Sequence, residues 1–215
     1  MRSFHAHTLR FAFCMSALAG CVDAIGFLQL GGYFVAFMSG NTTRLALALS
    51  HANIGHILLL GRILGLFVGG AALGTLLARR VGPERQVRAV LLLVTFLLAT
   101  AATASSGGHV SLAISCMALA MGAENIALQR DGDIVISLTY MTGTLVKLGQ
   151  RIAQALAGGD RWAWLPFLLL WMSLLAGGIA GGDVLLCSGA AKPMGGERGG
   201  DPAHPRRPPG GDADV

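Results

Sequence analysis

Apolar residues in this chain come in long runs rather than in alternation. Seven runs stand out, at roughly 9–31, 34–50, 56–78, 88–105, 109–128, 134–156 and 163–186. Each is near the ~20 residues a helix needs to cross a bilayer. Gly31-Gly32, Ser50 to Gly55, Ser105 to Gly108 and Gly158-Gly159-Asp160 separate runs as turns. Trp162 and Trp164 open the last run, where an interfacial aromatic belt would place them. From Ser188 onward the pattern gives way to Gly, Pro and charge, GGERGGDPAHPRRPPGGDADV. That composition cannot bury a core, so 188–215 is predicted to be a disordered tail. The pattern predicts an all-α transmembrane protein of about six to seven membrane helices. A short N-terminal segment, 1–8, precedes a membrane domain over 9–187.

The first run contains Leu18-Ala19-Gly20-Cys21 behind Arg2 and Arg10, the arrangement of a lipoprotein signal peptide. The apolar run continues past Cys21 through Leu30, whereas a signal peptide would end there. This favours a first transmembrane helix that stays in the protein.

Composition agrees with a membrane class. Of 215 residues, 53% are hydrophobic and 13% charged, about half the charge of a soluble domain; mean hydropathy is +0.63. The tail after Cys187 is neutral, so the net +5 belongs to the membrane body. Arg79, Arg80, Arg85 and Arg88 make the strongest basic loop, 79–88, and positive-inside bias puts it in the cytoplasm. If all seven runs span, the N-terminus is outside and the C-terminal tail cytoplasmic. If the short second run is re-entrant, the N-terminus flips to the cytoplasm. Seven spans is the expectation adopted. Basic residues never cluster beside stacking aromatics, which excludes a nucleic-acid partner. Cys14, Cys21, Cys116 and Cys187 form no CxxC pair and are expected to be buried small hydrophobes, with no disulfide framework or metal site.

The two halves resemble each other. Met38-Ser39-Gly40-Asn41-Thr42-Thr43-Arg44-Leu45-Ala46 matches Met141-Thr142-Gly143-Thr144-Leu145-Val146-Lys147-Leu148-Gly149 at an offset of 103 (40 to 143). Gly20-Cys21-Val22-Asp23 answers Gly122-Ala123-Glu124-Asn125 at 102 (20 to 122), and Gly69-Gly70 answers Gly177-Gly178 downstream. The reading is repeat one over 9–78, a linker helix over 88–105 and repeat two over 109–186. Internal repeats are common in transporters, whose substrate sites form near mid-membrane where the repeats meet. Seven spans would make the repeats parallel; re-entrant second segments would make them inverted.

CVDAIGFLQLGGYFVAFMSGNTTRLALAL, with MGAENIAL and TYMTGTLVKLG later, resembles the YoaK-type family of bacterial polytopic membrane proteins. The likeness covers roughly residues 10–187, and Val22 to Ala24 and Met38 to Thr42 are its more specific elements. It is a domain-of-unknown-function family often labelled predicted permeases, so the resemblance implies a fold and an inner-membrane location but no substrate. Glu124 departs from it, standing where the family is expected to prefer Gln.

Charge inside a span is costly, at least ~2.5 kcal/mol at helix centre, and should face a protein interior. Asp23, Arg44, Glu124, Lys147 and Asp183 all fall within apolar runs. One reading pairs Asp23 and Glu124 with Arg44 and Lys147 around a central site for an anionic or zwitterionic solute, or a proton relay. The other has them as structural ion pairs, which is favoured for Asp183 near a helix end. The candidate substrate-binding set is Asp23, Asn41, Thr42, Arg44, Glu124, Asn125, Thr142, Thr144 and Lys147. Gly40 and Gly143, beside hydroxyl and amide groups, are read as helix breaks. Gly69, Gly70, Gly177 and Gly178 are read as close packing. No nucleophile–base pair, phosphate-binding loop or HExxH is present, so no enzyme, cofactor or metal is expected. The leading function is a small-solute transporter or permease; the alternative is a non-transporting membrane scaffold or partner subunit with structural buried charges.

Overall fold

The computed structural model of the chain describes residues 6–127, 129–130, 133–134 and 141–187. The predicted tail at 188–215 and the start of the sixth run at 135–140 lie outside the described residues. Seven helices form: α1 (Ala6–Gln29), α2 (Met38–Ser50), α3 (Ile54–Val81), α4 (Gln86–Ser106), α5 (Val110–Glu124), α6 (Met141–Leu156) and α7 (Leu165–Cys187). A two-residue antiparallel ladder, β1 (Gln129–Arg130) with β2 (Asp133–Ile134), lies in the α5–α6 connection. The fold is all-α transmembrane, as the apolar runs predict.

Four helices are long and apolar enough to cross a membrane: α1 over Leu9–Gln29, α3, α4 and α7. The apolar α5 is shorter; its first turn is exposed, and from Ala113 to Glu124 every residue but the half-buried Leu119 is buried. At 1.5 Å per residue, the 13 residues of α2 span about 20 Å and the 16 of α6 about 24 Å, against a hydrocarbon core of about 30 Å.

Helix directions follow from specific contacts. Ser16 Oγ donates to the Leu170 carbonyl at 3.1 Å, and Cys21 packs on Gly181 further along, so α1 and α7 run parallel. Arg62 meets Ser111 while Gly74 meets Ala123, so α3 and α5 run parallel. Gln86 Nε2, at the start of α4, donates to the Ile126 carbonyl just past the end of α5 at 3.0 Å, which makes α4 antiparallel to both. Gln29 Nε2, at the end of α1, donates to Ser105 Oγ at the end of α4 at 3.1 Å, and Tyr33 packs on His56 at the start of α3. The bundle therefore has an arginine end, holding the α3–α4 turn, and a histidine end, where α1 and α4 finish and α3 and α5 begin.

It follows that α2 starts and finishes without crossing, because α1 ends and α3 begins at the histidine end. By the same reasoning, α6 links α5 and α7 at the arginine end. Among the described residues, neither α2 nor α6 runs from one end of the bundle to the other, the arrangement expected if the second segment of each half is re-entrant rather than spanning. In the same frame α7 runs with α1 and brings Cys187 to the histidine end, opposite the 79–88 loop.

The two main interfaces are built alike. Between α3 and α5, added methyls would overlap backbone from Gly70 onto Leu119 and from Gly122 onto Phe67, while Gly74 closes on Ala123. Between α1 and α7, the corresponding overlaps are Gly177 onto Ala17, Gly20 onto Leu174 and Gly181 onto Cys21. Positions on α1 and α5 correspond at an offset of 102 (17 to 119, 20 to 122, 21 to 123). Positions on α3 and α7 correspond at 107 (67 to 174, 70 to 177, 74 to 181). Packing thus matches Gly70 with Gly177, one residue away from the sequence match; Gly69 and Gly178 stand off from their neighbours at 3.9 and 3.7 Å. Small residues let backbones approach, where dispersion replaces the hydrophobic drive that lipid does not supply.

Candidate functional site

The sharpest polar feature begins with a chain reversal. Gly31 and Gly32 adopt φ of +66° and +107°, a region that favours residues without a Cβ, and turn the chain back beside α1. Val35 then packs against Gly26, and α2 begins beside Asp23, six residues below the end of α1. The Asp23 carboxylate accepts the backbone N–H groups of Val35 and Ala36, both at 2.8 Å. The first N–H groups of a helix lack partners within it, and inside a membrane no water replaces them. Asp23 instead satisfies Val35 and Ala36, in the irregular segment that leads into α2, whose N-cap Phe37 carries no side-chain cap.

Asn41 completes the corner. Fully buried in the first turn of α2, it donates to the Phe34 carbonyl at 2.6 Å and accepts from the Phe34 N–H at 3.1 Å. Phe34 lies between Phe27 and Phe37, tilted against the first and edge-on to the second, at centroid distances of 4.9 and 5.3 Å. Gly40 is packed against Phe37 within the helix, so it does not break α2; the irregular backbone precedes it, at Gly31 to Phe37. Gly143 likewise lies inside the first turn of α6. Both glycines are thereby corrected from helix breaks to first-turn positions.

The charged candidates do not converge. No ion pair links Asp23 or Glu124 to Arg44 or Lys147 among the described residues. Arg44 lies with its guanidinium 5.2 Å from the Tyr33 ring centroid and close to Gly32, a cation–π contact at the re-entrant turn. Lys147 and Asp183 are exposed. The exposed Thr42 returns its hydroxyl to the Met38 carbonyl at 2.8 Å, a self-satisfied helical threonine. Thr142 is exposed and Thr144 buried, both in the first turn of α6. The expected four-charge cluster is replaced by separate sites because α2 stays beside α1 at one end and α6 lies at the other.

Glu124 differs from all of these. At the end of α5 it is 0% exposed, and neither carboxyl oxygen has a hydrogen-bond partner among the described residues. Asn125 beside it donates to the Met121 carbonyl at 2.9 Å. Ala120, Met121, Ala123, Ile126 and Ala127 around it in sequence are buried in the main apolar cluster.

Sequence reasoning missed Arg62. It sits within the third apolar run, and its guanidinium donates to Ser111 Oγ at 2.6 Å, to the Ser111 carbonyl at 2.8 Å and to Ser115 Oγ. The signal was the same one that singled out Arg44, a cation inside an apolar run. The cysteines also depart from expectation: Cys116 is buried, Cys21 half-buried, and Cys14 and Cys187 face outward.

Comparison with known proteins places the chain. The family model described as "Protein of unknown function (DUF1275)" matches residues 11–192. The UPF0700 transmembrane protein RA0705 of Rhizobium meliloti (strain 1021) is 36% identical over 167 residues, covering 78% of this chain and 71% of the relative. The UPF0700 transmembrane protein YoaK of Bacillus subtilis (strain 168) is 30% identical over 156 residues, covering 69% and 68%. No solved structure matches. A family match over the whole helical body, carried by a chain of apolar helices, means that this protein belongs to the DUF1275 family of multi-pass membrane proteins.

Proposed function

We propose that the protein is a small-solute transporter or permease of the bacterial inner membrane, built from two inverted repeats with its site between them. The observation that carries this reading is the recurrence of the glycine-to-backbone contacts at constant offsets across α1·α7 and α3·α5. In each pair, the first helix of one half packs on the third helix of the other. Since α1 and α5 run in opposite directions, the halves are related by an axis in the membrane plane. Inverted repeats with interrupted second segments are an architecture for alternating access, where each half exchanges roles about a midplane site. The α2 start beside Asp23, within the span of α1, supports the same reading.

Positive-inside bias assigns the arginine end to the cytoplasm, with Arg79, Arg80, Arg85 and Arg88 there. The tail beyond Cys187 is then on the opposite face. Reporter fusions at Glu84 and Gly189 test this: opposite sides are expected, and both on one side would reject the placement of the two ends.

The scaffold reading keeps one specific argument. Asp23 and Asn41 have their bonds occupied by the chain's own backbone, so those two candidates act as framework. Among the described residues, Glu124 is the buried member of the candidate set whose side-chain oxygens have no hydrogen-bond partner, and it decides between the readings. Metabolite profiling of cells with and without the protein names solutes to test, and uptake of those solutes by proteoliposomes is then measured. Uptake by the wild-type protein that is lost in a folded Glu124→Gln variant supports transport. A metabolite pool unchanged by the protein, with no uptake, supports the scaffold.

A further inference from the structure

We propose that Glu124 is a proton-binding site, protonated while the end of α5 is closed and deprotonated when that end opens to water; resting on the transporter reading, this makes H⁺ the coupled ion. The geometry narrows the ligand. The side chain is completely buried, and neither oxygen has a partner among the described residues. An ionised carboxylate in apolar surroundings needs a partner, whereas the neutral acid does not. A metal cation needs several oxygen ligands at once, and no group of His, Cys, Asp or Glu side chains gathers among the described residues. A proton is the ligand that one carboxyl group binds unaided.

The charged and titratable groups on the elements packed against α5 leave Glu124 alone. On α3, Arg62 is held by Ser111 and Ser115, more than two helical turns away along α5, and Arg79 and Arg80 are exposed. His56 sits with Tyr33 at the other end of the bundle. On α4, Arg88 is exposed, as are Glu84 and Arg85 in the preceding turn. On α1, Arg10 and Cys14 are exposed, Cys21 packs against Gly181, and Asp23 accepts from Val35 and Ala36. Among the described residues, no ion pair is available to hold a carboxylate in the closed form.

The exit is local. Ile126 and Ala127, buried just past Glu124, follow the end of α5, and a side-chain bond from Gln86 to the Ile126 carbonyl ties that end to α4. Parting them would expose Glu124 at the arginine end. On opening, the carboxyl O–H bond breaks, its electron pair stays on the carboxylate, and the proton passes to water. On closing, the reverse occurs.

The test uses the full chain in liposomes and dicyclohexylcarbodiimide, an apolar reagent that adds to protonated carboxyl groups within membranes. The acid adds across one C=N bond, its proton going to nitrogen, and the adduct rearranges to a stable N-acylurea. Peptide mass spectrometry should place that adduct on Glu124, with the rate falling about tenfold per unit of pH once the group ionises. Glu124→Gln should lose the adduct, and Asp23→Asn should keep it. An unmodified Glu124 in folded protein, or a rate that does not vary between about pH 6 and about pH 9, would overturn the proposal. The Gln86→Leu variant, with its tie to Ile126 removed, should label several-fold faster; an unchanged rate overturns the exit assigned here. These readouts need no solute, so loss of the transporter reading would show as absent uptake with labelling intact.

Discussion

Asp23 and Glu124 occupy neighbouring positions in matching stretches, G-C-V-D and G-A-E-N, yet the two carboxyl groups have opposite circumstances. Asp23 is bound by two backbone N–H groups in the segment that leads into α2. Glu124 stands one position earlier in its stretch, where the first half has the buried apolar Val22, and touches no donor among the described residues. Burial alone therefore does not assign a role to a membrane carboxylate. A carboxylate whose bonds hold the chain's own backbone is framework, and one that satisfies nothing is free for chemistry.

The largest effects should come from removing the packing that positions both corners. Gly20→Val pushes α1 off the Leu174 backbone, and Gly122→Val pushes α5 off the Phe67 backbone. Neither carbonyl can move without displacing its helix, so each variant should fail to give a monodisperse detergent-purified protein. Size-exclusion profiles check this. If only one of the two misfolds, the two interfaces are not equivalent, and the comparison between corners loses its geometric basis.

Next in size is Asp23→Ala. It strips the partners from two buried N–H groups in a region without water, and should cost about 2–4 kcal/mol. Asp23→Asn retains an acceptor oxygen and should recover at least half of that loss. Thermal unfolding in one detergent compares them. The opposite result is expected at Glu124: Glu124→Leu removes a polar group with no partner and should leave stability within about 1 kcal/mol of wild type or raise it. A Glu124→Leu protein as unstable as Asp23→Ala would show that Glu124 is framework too.

How much of this was legible in the sequence can be traced residue by residue. The apolar runs located every described helix, because hydropathy over ~20 residues reports the requirement that backbone bonds close within the segment. They did not separate crossing from re-entry. The runs 34–50 and 134–156 are apolar enough to sit in the membrane, but α2 turns back because Gly31-Gly32 allows the reversal and Asp23 holds the backbone of Val35 and Ala36. That outcome depends on a hydrogen bond between residues twelve positions apart, which no local pattern contains. Asp23, Asn41 and Glu124 were found by the rule that polar groups in a span mean something. The partners of Asp23 and Asn41 were not found, since opposite charge suggested Arg44 and Lys147, whereas the backbone was the nearer donor and acceptor. The one-residue difference in the glycine match, Gly70 with Gly177, was invisible for a simpler reason: adjacent glycines look alike until a neighbour closes on one of them.

The smallest expected effect concerns Arg44, and it sharpens the boundary of the first corner. Its guanidinium rests 5.2 Å from the Tyr33 ring centroid at the re-entrant turn, with no carboxylate paired to it among the described residues. Such a contact is worth about 0.5–1 kcal/mol when part-exposed. Arg44→Gln and Tyr33→Leu should each lower stability by that amount, and the double variant by little more than either one, because they remove the same contact. A double-mutant cycle on the purified protein measures the coupling. Coupling near zero, with Arg44→Gln instead losing additively with Asp23→Asn, would place Arg44 outside the corner and leave its charge open to a ligand. Strong coupling to Tyr33 alone keeps Arg44 within the framework around Asp23 and Asn41, and leaves Glu124 as the candidate whose chemistry is unoccupied.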